Sequence, residues 1–166
     1  YYNKQKGKNV QVLGWDEAKQ DGTFAQSFTD QNKGKTISQQ FVQNGADVIF
    51  PVAGGTGLGA GAAAQASGGK VSVLWVDTDG CTSAPQYCSV FLSSVVKNIT
   101  KAVTTYVTGA ASGTFPSGSY IGTLQNDGTG LAPFHDFDSK VSSDIKTELQ
   151  QVSSDITSGK IKINSK

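Results

Sequence analysis

The sequence contains no arginine and no methionine, and it has only one histidine among its 166 residues. Without arginine, the chain has no planar guanidinium that could hold a phosphate or a carboxylate through two parallel hydrogen bonds. Its 14 basic residues are all lysines, and against 13 acidic residues they leave a net charge of +1. Such a balanced charge argues against nucleic acid or a membrane surface as a partner.

Long hydrophobic runs are also absent. No apolar stretch approaches the roughly 20 residues of a membrane-spanning helix. No signal peptide is visible and the first residue is Tyr1 rather than methionine, which is typical of a processed or trimmed chain. The composition, 37% hydrophobic and 16% charged, is sufficient for one α/β domain with its own core.

Cysteine is scarce, and the two that occur, Cys81 and Cys88, enclose six residues. No histidine or third cysteine lies near them in the sequence, so we do not expect a metal site. We expect a small disulfide that closes this loop, with two free thiols as the alternative. A disulfide would indicate an oxidising, extracytoplasmic location. The proline and the serine of the loop argue against a helix there.

Glycine, by contrast, is abundant, and it is concentrated after an apolar run at residues 46–53 that predicts a strand buried on both faces. The glycine-rich turn at residues 54–61 leads into an alanine-rich helix. A second buried strand is predicted at residues 71–76, and it ends at Asp77 and Asp79. A right-handed crossover would place the turn and the two carboxylates at the carboxyl edge of a parallel sheet, where open α/β sheets bind ligands.

The remaining patterns predict further strands and helices. Strands are expected at residues 10–15, 90–96, 120–124 and 160–163, and another extended piece at 131–134. Helices are expected at residues 29–45, 97–107 and 141–158. In the second of these helices the side chains expected to face inward are Ile99, Ala102, Val103 and Tyr106. The alternation predicts an α/β fold, a parallel sheet with helices on both faces.

The glycine turn is close to a dinucleotide-binding fingerprint. Gly55, Gly57 and Gly59 follow a strand, and Asp77 lies about 20 residues further on at the end of the next strand. Backbone N–H groups at the helix start could approach a ligand, and the carboxylate could accept from ribose hydroxyls. The alternative is a tight turn that packs a helix on the sheet. Because side chains alternate along an extended chain, only one of Asp77 and Asp79 should face the ligand well. The alternative is that both belong to a solvated turn.

Other side chains are expected at the same edge. Lys97 follows the next strand, and an ammonium beside a carboxylate suits a diol; a surface lysine is the alternative. Trp15, Phe24 and Phe28 follow the first predicted strand, where a ring could stack on a base or a sugar or could cap the core. No serine or cysteine is placed to pair with His135, which we interpret as a loop residue, so a catalytic triad is not supported.

Five motifs, in order along nearly the whole chain, resemble the basic membrane protein family. These are SFTDQNKGK (27–35), GADVIFPVAGGTGLG (45–59), VDTD (76–79), SSVVK (93–97) and GTLQNDGTGLAPF (122–134). The family comprises substrate-binding lipoproteins of ABC importers related to the purine-nucleoside receptor. The resemblance implies a type I periplasmic-binding fold, in which two hinged α/β lobes close on a nucleoside.

The resemblance also implies roles for individual residues. Phe28 would stack on the base, and Gly54, Asp79 and Lys97 would hold the ribose. The full expected set of ligand-binding residues is Phe28, Gly54, Gly55, Asp77, Asp79 and Lys97. The family usually has glutamine after the second aspartate, where this chain has Gly80 and the cysteine-bounded loop, so the rim of the site is expected to differ.

The family is about twice as long as this chain, which suggests a C-terminal fragment. Residues 1–97 would form the C-terminal α/β lobe with the ligand-binding edge, and residues 98–166 the crossover helix, the hinge and the return segments. The implied partners are a nucleoside, a membrane permease and the missing N-terminal lobe. The implied location is the cell surface, as a membrane-anchored lipoprotein. No enzymatic activity, metal or cofactor is expected, and half a site would bind nucleoside weakly or not at all.

Two alternatives remain open at this point. One is a sugar-binding protein or a regulator built on the same two-lobe fold. The other is a nicotinamide-dependent oxidoreductase that uses the glycine turn and Asp77, although neither a catalytic acid nor a base is apparent near the turn.

Overall fold

The structure is a computed structural model that describes residues 1–115 and 117–163. In chain order, its helices and strands are α1 (Tyr2–Lys6), β1 (Trp15–Asp16), β2 (Asp21–Gly22), α2 (Gln31–Gln43), β3 (Val48–Ile49), α3 (Leu58–Ala66), β4 (Ser72–Asp77), α4 (Gly80–Ser83), β5 (Phe91–Lys97), α5 (Ile99–Ala111), β6 (Thr129–Leu131) and α6 (Ser143–Thr157). Turns of 3₁₀ helix occupy Gly54–Gly57, Pro85–Val90 and His135–Lys140.

A four-stranded sheet in the order β3-β4-β5-β6 forms the centre of the fold. β3, β4 and β5 are parallel, whereas β6 runs antiparallel to β5 and pairs Thr129 with Lys97. The predicted α/β class is therefore confirmed, with a sheet that is mostly parallel. None of the helices formed by the described residues combines the length and hydropathy needed to cross a membrane.

Local capping accounts for the three long helices. The side chain of Asp30 accepts from the Lys33 N–H at the start of α2, and Asn98 accepts from the Lys101 N–H at the start of α5. Ser142 caps α6 in the same way. Such caps satisfy donors that have no partner within the helix. The helices predicted at residues 29–45, 97–107 and 141–158 are confirmed to within a few residues.

The core lies between the sheet and the small residues of α3. Trp75 of β4 and Phe91 of β5 stack with ring centroids 5.1 Å apart, and both are buried. α2 packs closely on α3 and on the 3₁₀ turn before it because Gly59 and Gly34, respectively, have no side chains at these contacts. A Cβ at Gly59 would overlap the Gln31 carbonyl oxygen. The expected packing alternative thus explains part of the glycine run.

The predicted strand at residues 10–15 is wrong. Only Trp15 lies in a strand, and it pairs with Gly22 in the short hairpin of β1 and β2. Val10 and Val12 are 58% and 72% exposed, so no buried face holds this segment in a sheet register. The segment instead borders an apolar cavity of about 990 Å³ beside β3 and α2.

The apolar run at residues 46–53 is not a strand buried on both faces. Only Val48 and Ile49 form strand β3, and within the described residues it pairs with β4 alone. Ile49 is buried, whereas Val48 and Phe50 are exposed. Because no strand formed by residues 1–115 and 117–163 pairs with the outer edge of β3, one side of this run stays open in that part of the chain.

Two further predicted strands are not formed. Residues 120–124 instead lead into a turn held by Asn126, whose Oδ1 accepts from the N–H groups of Thr123 and Gly128. Residues 160–163 fold back on α6, where the Ile161 N–H donates to the Asp155 carbonyl. The extended piece expected at residues 131–134 contributes only Leu131 to β6. Side-chain and backbone hydrogen bonds therefore determine the conformation of these segments, although their apolar pattern predicts strands.

Two expectations about helices are also wrong. Ile99 and Val103 of α5 are 57% and 55% exposed, so the residues expected to face inward are not buried in this chain. The cysteine-bounded loop contains the short helix α4 and a 3₁₀ turn. Asp79 caps α4, and Pro85 stands at the first position of the 3₁₀ turn, where its missing N–H costs nothing.

Candidate functional site

The parallel strands deliver the predicted site residues to one edge of the sheet. β3 leads into the glycine turn, β4 ends at Asp77, and β5 ends at Lys97. Asp77, Asp79 and Lys97 line one pocket of about 360 Å³, together with Asp127 and Thr129. The structure therefore brings together the polar residues that the sequence placed at the ends of neighbouring strands.

Asp77 and Lys97 form an ion pair across the ends of β4 and β5. Lys97 Nζ lies 2.7 Å from Asp77 Oδ1, and the two side chains are 67% and 43% exposed. A solvent-exposed pair of this kind contributes only about 0–1 kcal/mol to stability. A ligand that offers its own donors and acceptors can therefore rearrange the pair at little cost.

The backbone bends at Asp77, so the alternation of side chains from which a single facing carboxylate was expected does not hold there. Asp77 has a φ of 69°, so the chain is no longer extended and the alternation of side chains ends there. Asp77 and Asp79 consequently line the same pocket.

Asp79 is held at both of its carboxylate oxygens. Oδ1 accepts from the Cys81 N–H at 3.0 Å, which caps α4. Oδ2 lies 2.8 Å from Nε2 of His135, a residue 56 positions away in the sequence. Asp79 is thus oriented by two independent parts of the chain.

His135 is the residue that sequence reasoning missed. The sequence predicts a loop residue, whereas the structure places His135 in a 3₁₀ turn, with its side chain 34% exposed beside Asp79. The contact depends on the antiparallel return through β6, for which the sequence gives no local signal. Within the described residues His135 bonds to a carboxylate and to no hydroxyl or thiol, so the geometry adds no nucleophile–base pair.

The disulfide between Cys81 and Cys88 closes the loop that follows Asp79, with Cα atoms 4.6 Å apart. Ligand atoms of Asp79, Cys81 and His135 lie within 4.8 Å of one another. Cys81 offers no thiolate because its sulfur is in the disulfide, so this cluster lacks the third donor of a metal site. The N–H of Gly80 donates to Ser94 Oγ at 2.9 Å, and a Cβ at this position would meet the Phe91 ring at 2.6 Å. This crowding explains why glycine stands where the resemblance suggests glutamine.

Phe28 lies beside the glycine turn at the end of β3. Its carbonyl accepts from the Thr56 N–H at 3.1 Å, while its ring is part of a side chain that is 75% exposed. Gly54 has a φ of 54°, and a Cβ there would lie 3.6 Å from the side chain of Phe28. A Cβ at Gly55 would lie 3.1 Å from the Phe28 carbonyl oxygen. The lack of side chains in the turn therefore permits Phe28 to approach it closely.

The other two aromatic candidates lie elsewhere. Trp15 and Phe24 contact each other edge to face, with centroids 6.5 Å apart, and both border the large apolar cavity. The Trp15 Nε1–H donates to Glu17 at 3.0 Å. Trp15 and Phe24 are 41% and 59% exposed, so neither ring caps the core in this chain, and stacking on a ligand stays a prediction.

Unusual backbone conformations concentrate at the pocket. Among the described residues, five other than glycine have positive φ. Three of these five are Asp77 and Asp127, which line the pocket, and His135, which bonds to Asp79. Such conformations cost free energy and tend to occur where side chains must be aimed at a ligand.

Comparison with known proteins is consistent with this geometry. Residues 18–166 match the Bmp family model, described as ABC transporter substrate-binding protein PnrA-like. The CD4+ T-cell-stimulating antigen of Listeria monocytogenes is 32% identical over 159 residues, which are 88% of this chain and 43% of that protein. The ABC transporter nucleoside-binding protein BmpA of Lactococcus lactis is 30% identical over 163 residues, 90% of this chain and 45% of that protein. The chain spans less than half the length of these curated relatives.

Solved structures show the same fold. A solute-binding protein of an ABC transporter system from Aeropyrum pernix K1 superposes with a TM-score of 0.81 at 23% identity, covering 100% of this chain and 51% of that one. A transcriptional activator of the comK gene from Bacillus halodurans superposes with a TM-score of 0.67 at 18% identity, over 78% of this chain and 43% of that one. At these identities the likeness establishes the fold alone.

Proposed function

Because the chain belongs to the Bmp family of PnrA-like ABC transporter substrate-binding proteins, we propose that it serves in the substrate-binding component of an ABC importer and binds a nucleoside, with a purine favoured. The observation that carries the proposal is the meeting of Asp77, Asp79 and Lys97 in one pocket. This pocket lies at the same sheet edge as Phe28 and the glycine turn.

The polar side chains suit the two hydroxyls of a ribose. Ionised Asp79 only accepts hydrogen bonds and Lys97 only donates them, whereas a hydroxyl does both. Each ribose hydroxyl can therefore donate to a carboxylate while it accepts from the ammonium. Asp77 keeps the ammonium of Lys97 in place before the ligand arrives. With no arginine available in the sequence, an uncharged sugar suits this edge better than a phosphate.

The exposed ring of Phe28 suits the base. Stacking of a base on an aromatic side chain is worth about 1–3 kcal/mol and tolerates different bases. Gly54 and Gly55 add no side chains beside this ring, so the sugar can follow the base toward the ends of β4 and β5. We propose that Phe28 stacks on the base while Gly54 and Gly55 provide close backbone contact.

The proposed mechanism is capture without chemical conversion. The family's relatives are substrate-binding proteins, and the pocket contains groups that bind hydroxyls. A second lobe would cover the other face of the base, and the closed complex would be presented to a membrane permease. The disulfide suits an extracytoplasmic location, which we propose to be the cell surface, with a lipid anchor.

The contacts favour this function over an oxidoreductase. Gly59, the third glycine of the fingerprint, packs against the backbone of α2. This glycine therefore serves helix packing, and its backbone is not free to approach a dinucleotide. A sugar-binding protein or a regulator of the same fold remains the alternative, because the same carboxylates and lysine would take a free sugar.

Titration of the 166-residue chain with adenosine, inosine and ribose tests the proposal. We expect weak binding because the base is covered on one face only, so NMR shift titration at millimolar ligand is suitable. Adenosine and inosine should bind more tightly than ribose; tighter binding of ribose would overturn the nucleoside assignment. Lys97→Gln should weaken nucleoside binding, while Lys19→Gln, which removes a lysine from the surface pair with Asp16, should not.

A further inference from the structure

The contact between His135 and Asp79 joins distant parts of the chain. His135 Nε2 and Asp79 Oδ2 are 2.8 Å apart, and the two side chains are 34% and 26% exposed. The segment before His135 is anchored to β5, because the Ala132 N–H donates to the Ser94 carbonyl at 2.9 Å and Ser93 Oγ donates to the Ala132 carbonyl at 2.8 Å. The imidazole is thus delivered to Asp79 by a fixed segment.

The chemistry of the pair determines which nitrogen carries the proton. An ionised carboxylate has no proton to donate, so the bond to Asp79 requires a proton on Nε2 of His135. This holds for the neutral Nε2–H tautomer and for the doubly protonated ring. In both forms His135 is the donor and Asp79 the acceptor.

Two oxygens held by two donors define one orientation of the carboxylate. The Cys81 N–H alone fixes Oδ1 and leaves Oδ2 free to move. The bond from His135 fixes Oδ2 as well. A carboxylate offers about four acceptor sites, so lone pairs remain on both oxygens after these two bonds are made.

We propose that His135 is a positioning residue for ligand binding, which holds Asp79 so that its remaining lone pairs accept from a ligand hydroxyl. This inference rests on the proposed function, because it assigns Asp79 to the ligand. It assigns His135 no contact with the ligand itself. The residue would therefore affect affinity only through Asp79.

Among the described residues, Asp79 is the charged group that contacts His135, because the neighbouring charged groups have other partners or are exposed. On the same 3₁₀ turn, Asp138 pairs with Lys146 at 2.7 Å and Lys140 lies over the Phe137 ring. On the adjoining strand, Lys97 is paired with Asp77. Asp136 is exposed.

The first arm of the test identifies the tautomer of His135 from its imidazole ¹⁵N signals. Because the chain has one histidine, these signals need no assignment to a residue. At about two pH units above the ordinary histidine pKa of about 6.5, the wild type should show the Nε2–H tautomer. In Asp79→Asn the amide oxygen still caps α4, and its NH₂ group must face His135, which forces the ring to accept and favours the Nδ1–H tautomer. Asp77→Asn, which changes the neighbouring carboxylate, should keep the wild-type tautomer. An Nδ1–H tautomer in the wild type, or no change in Asp79→Asn, would overturn the proposal.

The second arm measures adenosine affinity by NMR titration. His135→Leu should weaken binding about fivefold, the effect of losing one hydrogen bond, while His135→Gln keeps a donor near the position of Nε2 and should restore binding to within about twofold. Thermal unfolding of both variants checks that the fold is retained. Unchanged affinity in His135→Leu, or His135→Gln as weak as His135→Leu, contradicts the proposal. If the wild type binds ribose but neither adenosine nor inosine, the nucleoside assignment fails, while the tautomer arm still decides whether His135 holds Asp79.

Discussion

The two halves of the ligand-facing edge differ in how firmly their side chains are held. At the ends of β4 and β5, Asp79 is fixed by Cys81 and His135, and Lys97 is paired with Asp77. At the end of β3, the Phe28 side chain is 75% exposed. The neighbouring outer edge of β3 is open, with the large cavity beside it.

This difference shows what the chain provides by itself. In the polar half, Asp79 is oriented before a ligand arrives, since both of its oxygens have a partner, and Lys97 lies beside Asp77 in an exposed pair that a ligand can rearrange. The aromatic half offers one exposed ring and leaves the opposite face of a base in water. The chain should therefore select the sugar by geometry, while affinity for the base depends on a second surface.

The largest expected effect is a loss of stability, which should occur on substitution in the polar half and not in the aromatic half. Phe91→Ala removes a buried ring that stacks on Trp75 beneath the polar half, and it should cost about 3–5 kcal/mol. Phe28→Ala removes a ring of equal size from the surface and should change stability by less than about 0.5 kcal/mol. Denaturant unfolding measures both. A large stability loss in Phe28→Ala would show that this ring belongs to the core.

The disulfide is expected to make the next largest contribution to the stability of the polar half. Replacing Cys81 and Cys88 by serine together removes the crosslink of an eight-residue loop and should cost about 2–3 kcal/mol. Adding reductant should lower the unfolding midpoint of the wild type and leave that of the double variant unchanged. Equal sensitivity of both proteins to reductant would contradict this role.

Substitutions of glycine test whether the glycine run near β3 serves helix packing or ligand contact. Gly59→Ala should cost about 1–3 kcal/mol because the new methyl group overlaps the backbone of α2. Gly130→Ala is the matched control, since a Cβ there meets no atom within 4 Å. Comparison of the two melting temperatures tests this. A neutral Gly59→Ala would mean that α2 and α3 can separate without cost.

A smaller effect concerns α6, away from both halves of the edge. Lys160 and Gln151 hold the pKa of Asp155 below its ordinary value of 3.8, and Asp155 raises the pKa of Lys160 above 10.5. A lowered carboxyl pKa stabilises the fold above about pH 4, and this contribution is lost as the pH falls through the folded-state pKa. The raised lysine pKa contributes below pH 10.5 and is lost as the pH rises through the raised value.

Asp155→Asn should therefore lower stability at neutral pH and flatten its decline below pH 4. Unfolding midpoints between about pH 2 and pH 7 report this difference. Asp136→Asn, which changes an exposed carboxylate, serves as the control. The same acid dependence in Asp155→Asn and the wild type would show that the pair of Asp155 and Lys160 does not contribute to stability.

Features set by neighbouring residues could be predicted from the sequence. The caps Asp30 and Asn98 mark the starts of α2 and α5, because a cap needs only the next few residues. The apolar runs before Asp77 and Lys97 predict β4 and β5. The placement of these two residues at one edge follows from the parallel order of the strands.

Features that depend on distant partners could not be predicted. A strand at residues 10–15 requires a neighbouring strand, and the apolar pattern cannot show that β3 leaves its outer edge open. The contact of His135 with Asp79 depends on the antiparallel return of β6 beside β5. The left-handed backbone of Asp77, which turns both carboxylates into one pocket, is likewise a property of the folded chain.

The placement of a nucleoside along the two halves of the edge is tested most directly by intermolecular nuclear Overhauser effects between adenosine and the protein. We expect contacts from the base protons to the Phe28 ring and from the ribose protons to the side chain of Lys97. Ribose protons close to Phe28, or adenosine contacts confined to the cavity lined by Trp15 and Phe24, would contradict it.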